Sequence, residues 1–302
     1  MLFEVLLNNQ VRNIAPYFEL RLIENDHLLS IINDFEDGKW RYKKFQNYIW
    51  DNIAETTLNY KEREALVNQS LLTAAAKNLR LSDKDDATGE GSELAEILLY
   101  ALMKDHYKAL PVVPKIFYKQ NTQDYAKGSD SVHIVIEDNE EFSLWFGEAK
   151  FYNSVDNSRL SRIVESVKNS LRTDKLKKEC SIISGVSDIS YIIGDNIAEK
   201  VKAVLSYQNS IDTIKELIHV PILLLYECSI TKTESVLTEE YRRNIKELHV
   251  DIAKRYFSKQ LENISDIFLH EKIKFHFILF PVPDKENIVS KFIENVEFYR
   301  GD

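Results

Sequence analysis

Asp130, Glu148 and Lys150 are charged residues set in a stretch otherwise composed like a protein interior. The segment reads AKGSDSVHIVIEDNEEFSLWFGEAKFYNS, Ala126 to Ser154, and its apolar run FSLWF leads directly into Glu148 and Lys150. Opposite charges at the end of a buried strand cost stability unless something there uses them. In an extended chain side chains alternate, so Glu148 and Lys150 share one face and the small residues Gly147 and Ala149 share the other. The run EDNEE is a natural hairpin loop. Pairing centred on Asn139 sets Asp130, on the preceding strand, level with Glu148.

Two carboxylates and a lysine at one sheet edge have a specific use. Hard carboxylate oxygens hold Mg²⁺, or Mn²⁺ in its place, and leave positions for water and a phosphate oxygen. The metal lowers the pKa of bound water and offsets charge on the phosphate. A lysine beside it orients the water and stabilises the charge that develops. This is the equipment of phosphodiester hydrolysis. A second acid-x-lysine triplet, Asp37-Gly38-Lys39, lies in the polar run EDGK with no apolar strand leading into it, and reads as a turn.

The elements that must position these residues follow from periodicity. SELAEILLYALMKDHY, from Ser92, is a strongly helical segment with an apolar stripe of Leu94, Ile97, Leu98, Ala101 and Leu102. Its narrow polar sector holds Glu93, Glu96 and Tyr100. One of the two acids is expected to aim at the metal site, Glu96 being slightly preferred and Glu93 the alternative; simple capping and complementarity to the helix dipole is the competing explanation for either. Three strand-like segments follow, PVVPKIFYK, SDSVHIVIE and EFSLWFGEAKFY, and then a long helix from Ser158 to Ile183. Strands HVPILLLYECSI and IKFHFILFPVP alternate with further helices. The first eighty or so residues read mostly as helix, with a strand at the very start as the exception. The polar run Leu81–Ser92 is the best candidate for a linker. The order is that of an α/β domain, a central sheet flanked by helices, spanning 89–302, after a mostly helical N-terminal region, 1–88, whose aromatic and basic KWRYKKFQNYIW suits a partner surface.

Composition sets the outer bounds. The 302 residues are 44% apolar and 29% charged, which excludes a disordered or collagen-like chain. No apolar run is long enough to cross a bilayer, no signal-peptide pattern opens the chain, and Cys180 and Cys228 lack metal-ligand spacing. A cytoplasmic protein is expected. The net charge of −9 means that any contact with DNA relies on a local basic surface or on a partner. Such a surface exists. Between Arg159 and Lys178 seven basic residues, among them Arg159, Arg162, Lys168 and Arg172, stand against the two acids Glu165 and Asp174. This helix follows the catalytic strand directly and suits docking of the phosphate backbone, although a solvated face is the usual fate of such runs. His133, three residues past Asp130, lacks a second histidine at ligand spacing and reads as a structural residue or a substrate contact.

The succession of GSD, then GEAK, after a glutamate-bearing helix, resembles the PD-(D/E)xK nuclease superfamily, with Ser129 in the place of the proline. That resemblance implies a restriction-endonuclease-like α-β-β-β-α-β core. More narrowly, LAEILLYALM, KIFYK, GSDSVH and FGEAKFY, from about Gly89 to the C-terminus, resemble the C-terminal domain of the HamA family, the nuclease component of Hachiman anti-phage defence. The family implies a metal-dependent DNase working with a helicase, HamB. Carried over, Asp130 and Glu148 are metal ligands, Lys150 is the catalytic lysine, and Glu96 or Glu93 is the helix acid. Two other readings compete: a non-catalytic subunit that uses a nuclease fold to grip DNA or the helicase, and a stand-alone restriction-type endonuclease, for which no base-reading loops are identifiable.

Overall fold

The computed structural model describes residues 2–14, 25–66, 70–81, 92–114, 116, 129–137, 139, 141–186 and 189–301. In chain order its strands are β1 (Glu4–Gln10), β2 (Asp26–Ile32), β3 (Phe35–Glu36), β4 (Lys39–Trp40), β5 (Leu110–Val113), β6 (Ser131–Ile136), β7 (Phe142–Tyr152), β8 (Ile218–Glu227) and β9 (Lys274–Val282). All but the β3–β4 hairpin join one seven-stranded sheet, ordered β1-β2-β9-β8-β7-β6-β5. The inner strands β2, β9, β8 and β7 run parallel, and antiparallel pairs flank them on both sides. This is a mixed α/β architecture with a central sheet flanked by helices, as expected.

The inner strands are continuous apolar runs because both of their faces are covered. One face packs against α6 (Asn157–Ser170) and α11 (Glu239–Ile264) through Leu160, Ile163, Val167, Ile252 and Phe257. The other packs against α2 (Tyr42–Thr57), α5 (Ser92–Tyr107) and α12 (Lys285–Arg300) through Phe45, Ile49, Leu98, Leu102 and Phe292. Within β7, Leu144 and Phe146 belong to the first core while Trp145, Ala149 and Phe151 belong to the second.

The region 1–88 is largely helical in its described residues, as expected, but is not confined to helices. Its described residues supply β1 and β2 to the central sheet. Leu28, Leu29, Ile31 and Ile32 are all fully buried. A run buried on both faces has no alternation, so its periodicity does not separate strand from helix. The run 30–58, read from its spacing as part of that helical region, turns helical only at Tyr42, after the β3–β4 hairpin. Asp37 and Gly38 form the two-residue turn of that hairpin with φ of +51° and +71°, the geometry that an Asp-Gly pair favours, so this acid-x-lysine triplet is a turn. Beyond α2, the run 59–80, also of helical spacing, divides into α3 (Tyr60–Ala65) and α4 (Leu71–Asn78), capped by Asn59 and Ser70. The proposed linker, apart from its ends Leu81 and Ser92, lies outside the described residues, as do Gly128 and most of the KIFYK segment.

The single basic helix expected after β7 is two helices, α6 and α7 (Thr173–Gly185). Arg172 is extended, with ψ of 143°, and the buried Leu171 and Leu176 stand on either side of the break. The bend lets both helices keep their apolar stripes on the core.

Candidate active site

The hairpin register brings the first two acids together. Ser131 pairs with Gly147, and each later pair through Ile136 and Phe142 keeps the same centre at Asn139, so Asp130 stands level with Glu148. Asp130 sits one residue before β6 and ends the ladder. Its N–H donates to the Gly147 carbonyl at 2.8 Å, and its Oδ2 accepts the Ala149 N–H at 3.0 Å. The carboxylate thus takes the position of a backbone acceptor, which fixes it beside the Glu148–Lys150 strand end.

Lys150 bridges the two acids. Its Nζ ion-pairs closely with Glu148 Oε1, lies 3.7 Å from Asp130 Oδ2 and donates to the Ala149 carbonyl at 3.2 Å. The side chains of Glu148, Asp130 and Lys150 are 7%, 17% and 30% exposed, so the cluster opens to solvent at the lysine end. Burial and the neighbouring Asp130 push the Glu148 carboxyl up, with Lys150 and Ser166 pulling against them. Burial works against the Lys150 ammonium, but Asp130 and Glu148 outweigh it and hold the amine charged well above its ordinary range. Two carboxylates this close favour a cation between them.

The two candidate helix acids part ways. Glu96 is buried on α5 and lines a small pocket together with Asp130, Ser131, Tyr100 and Thr56. Glu93 instead accepts the backbone N–H groups of Arg80 and Leu81, at 2.9 and 3.0 Å, and is not part of that pocket's lining. In the Glu96 pocket the buried hydroxyls of Tyr100 and Ser131 have no hydrogen-bond partner among the described residues. Buried polar atoms require partners, and the pocket, of about 10 Å³, has room for about one water beside Glu96 and Asp130. No three carboxylate, imidazole or thiolate side chains among the described residues stand close enough to enclose one ion. A Mg²⁺ ion would therefore be held by few carboxylates with water completing its shell, which is its usual habit.

His133 is fully buried against Tyr100, their ring centroids 5.1 Å apart, and burial pushes its imidazole down to about 3. It is a neutral residue of the core and reaches no substrate surface.

The basic helix contributes unevenly. Arg159 and Arg162 lie over the ring of Tyr152, at 5.5 and 5.9 Å, two residues beyond Lys150. Lys168 is paired with Asp266 at 2.8 Å and Arg172 with Asp174 at 3.2 Å. The structure groups the first two with the strand end and ties the other two elsewhere.

Two supporting residues escaped the sequence reading. Ser166 of α6 donates to Glu148 Oε1 at 2.6 Å. Glu179 of α7, almost fully buried, accepts the Ser129 N–H at 2.9 Å and so anchors the residue preceding Asp130. The only sequence signal for either was a polar residue flanking an apolar helical stripe. Gly147 has a packing reason as well: a Cβ there would come within 2.7 Å of the Leu99 side chain and collide with the Ser131 hydroxyl.

Residues 14–296 match the family model described as HamA. No curated protein matches the sequence.

Proposed function

The chain belongs to the HamA family, and we propose that it is a metal-dependent DNA nuclease of the PD-(D/E)xK type, acting with a HamB-like helicase. The family carries a role in Hachiman anti-phage defence. The observation that supports catalysis best is the Lys150 ammonium held between Asp130 and Glu148 at a solvent-open strand end.

Asp130 and Glu148 are the residues that would hold Mg²⁺ or Mn²⁺ directly, and Glu96, across the pocket it shares with Asp130, would act on the ion's water shell. When bound, the ion would supply a Lewis acid for the phosphate and an activated water. Lys150, kept charged by its neighbours, orients the attacking water and stabilises the extra negative charge as the P–O bond breaks. Ser166 holds Glu148 in place, and Ala149 N–H holds Asp130. Arg159 and Arg162 contact the backbone phosphates without reading sequence. An acidic chain gains from a helicase that delivers the strand, because its own long-range field repels DNA.

The absence of a three-carboxylate cluster among the described residues favours a second reading, a non-catalytic subunit that binds DNA or the helicase. Purified protein, alone and with a HamB-like helicase, incubated with plasmid and linear DNA with and without Mg²⁺, separates the two. Mg²⁺-dependent cleavage that disappears in Glu148→Ala and Lys150→Ala supports the nuclease. DNA retention without cleavage under every condition supports the binding subunit.

A further inference from the structure

The basic run that follows the catalytic strand is only partly absorbed by the candidate active site. Its C-terminal portion, on α7, faces a different feature. A pocket of about 280 Å³ opens between α7 and the segment 202–214, at the lower end of small-molecule sites (~300 Å³). Its floor is apolar and buried, formed by Cys180, Leu205, Ile211 and Ile214. Its rim is cationic and hydroxylic, with Lys177, Lys202, Ser181 and Tyr207 all exposed.

Charge distinguishes this pocket from the rest of the surface. The chain has 48 acidic and 39 basic residues, yet the pocket lining holds two lysines and no acid. Among the described residues neither Lys177 nor Lys202 has a carboxylate partner. Asp212, two residues before the lining residue Ile214, is already paired with Lys215 at 2.8 Å. Two lysines brought to one rim repel each other, and an anion between them removes that cost.

The remaining contacts define the rest of the ligand. Tyr207 is 89% exposed at the rim, an aromatic ring available for stacking on a flat partner. The segment carrying it is braced internally, with Asn209 donating to the carbonyls of Ala203 and Val204 at 2.9 and 3.0 Å. The aromatic ring, apolar floor and paired cations are thus presented by an ordered scaffold.

We propose that this pocket binds a small phosphorylated ligand with a flat apolar body, of the nucleotide class, its phosphate between Lys177 and Lys202 and its base against Tyr207. The site also bears on the candidate active site. α7 lines the pocket through Lys177, Cys180, Ser181 and Ser184, while Glu179 of the same helix holds Ser129 beside Asp130.

The test is calorimetric titration of the full chain, without metal or DNA, using the nucleoside 5′-monophosphates and ATP, with adenosine and inorganic phosphate as the two halves. At least one nucleotide is expected to bind more tightly than either half. Lys177→Ala and Lys202→Ala, both at exposed positions, are each expected to weaken it about tenfold, as loss of a charge-assisted hydrogen bond does. Tyr207→Ala should weaken nucleotides but not inorganic phosphate. The proposal is overturned by no binding of any nucleotide, by phosphate binding as tightly as every nucleotide, or by binding that both lysine variants leave unchanged. None of these readouts depends on DNA cleavage, so this site and the nuclease stand or fall separately.

Discussion

The carboxylate of Asp130 accepts the backbone N–H of Ala149 at 3.0 Å, and this one bond aligns two strands and two charges. Because Ala149 lies between Glu148 and Lys150, fixing its N–H fixes the approach of Asp130 to both. Asp130 is thus a structural acceptor and a candidate ligand at once. Asp130→Asn retains an acceptor oxygen, and Asp130→Ala does not. Both variants are expected to lose divalent-ion binding by titration, and only the alanine should also lower the thermal midpoint, by an amount corresponding to about 1–2 kcal/mol.

Removing Lys150 leaves Glu148 and Asp130 facing each other without their cation. Lys150→Ala should abolish cleavage and destabilise the fold by about 1–3 kcal/mol at pH 7, discounted from a fully buried pair because the ammonium is 30% exposed. The Glu148 pKa is raised in the fold, so its unfavourable ionised form is lost on acidification. The stability of the variant should therefore recover as pH falls through the folded Glu148 pKa towards the ordinary carboxylate range, and should also recover with millimolar Mg²⁺. Urea melts across pH, with and without Mg²⁺, measure both effects. A variant indifferent to pH and to Mg²⁺ would remove the cation-bridge account.

Ser166 acts through Glu148. Ser166→Ala deletes a 2.6 Å donor to a buried carboxylate and should cost about 1–2 kcal/mol. It should also raise the Glu148 pKa further, since a bond to the ionised form is lost. A carboxyl-resolved NMR titration reads the second effect, which mere loss of packing would not produce.

The two helix acids are separable by metal titration. Glu96→Gln should weaken Mn²⁺ or Mg²⁺ binding about tenfold, whereas Glu93→Gln should leave it unchanged and loosen only the backbone around Arg80 and Leu81. Equal effects of the two substitutions on metal affinity would refute the assignment.

Buried titratable groups give the fold a pH optimum. Burial pushes His133, His219 and His249 down to about 3, so the unfolded chain binds protons that the folded chain refuses. Stability present above about pH 6.5 is lost progressively as pH falls towards 3, by up to about 1.4 kcal/mol per pH unit for each histidine. Asp26 acts in the opposite direction. Burial raises its carboxyl to about 8, so stability present below about pH 4 is lost as pH rises through 8. Asp26→Asn should therefore stabilise the protein at pH 9 relative to wild type and have little effect at pH 4. Thermal melts over pH 4 to 9 test both signs.

The sequence by itself determined the strand that presents Glu148 and Lys150, because alternation in FSLWFGEAK has only one extended reading. It also determined the hairpin register, because a short polar loop between two apolar runs fixes which residues stand opposite, and with it the meeting of Asp130 and Glu148. The fully apolar strand β2 was not legible, since a run buried on both faces carries no period. The break at Arg172 was hidden for a related reason: helical spacing continues through it, and only the need to keep Leu171 and Leu176 on one core bends the chain. Tertiary structure alone decided that Glu96 rather than Glu93 shares a pocket with Asp130, that Ser166 and Glu179 support the site, and that Lys177 and Lys202 line one pocket. Those are contacts between elements distant in sequence, set by how helices seat on a sheet.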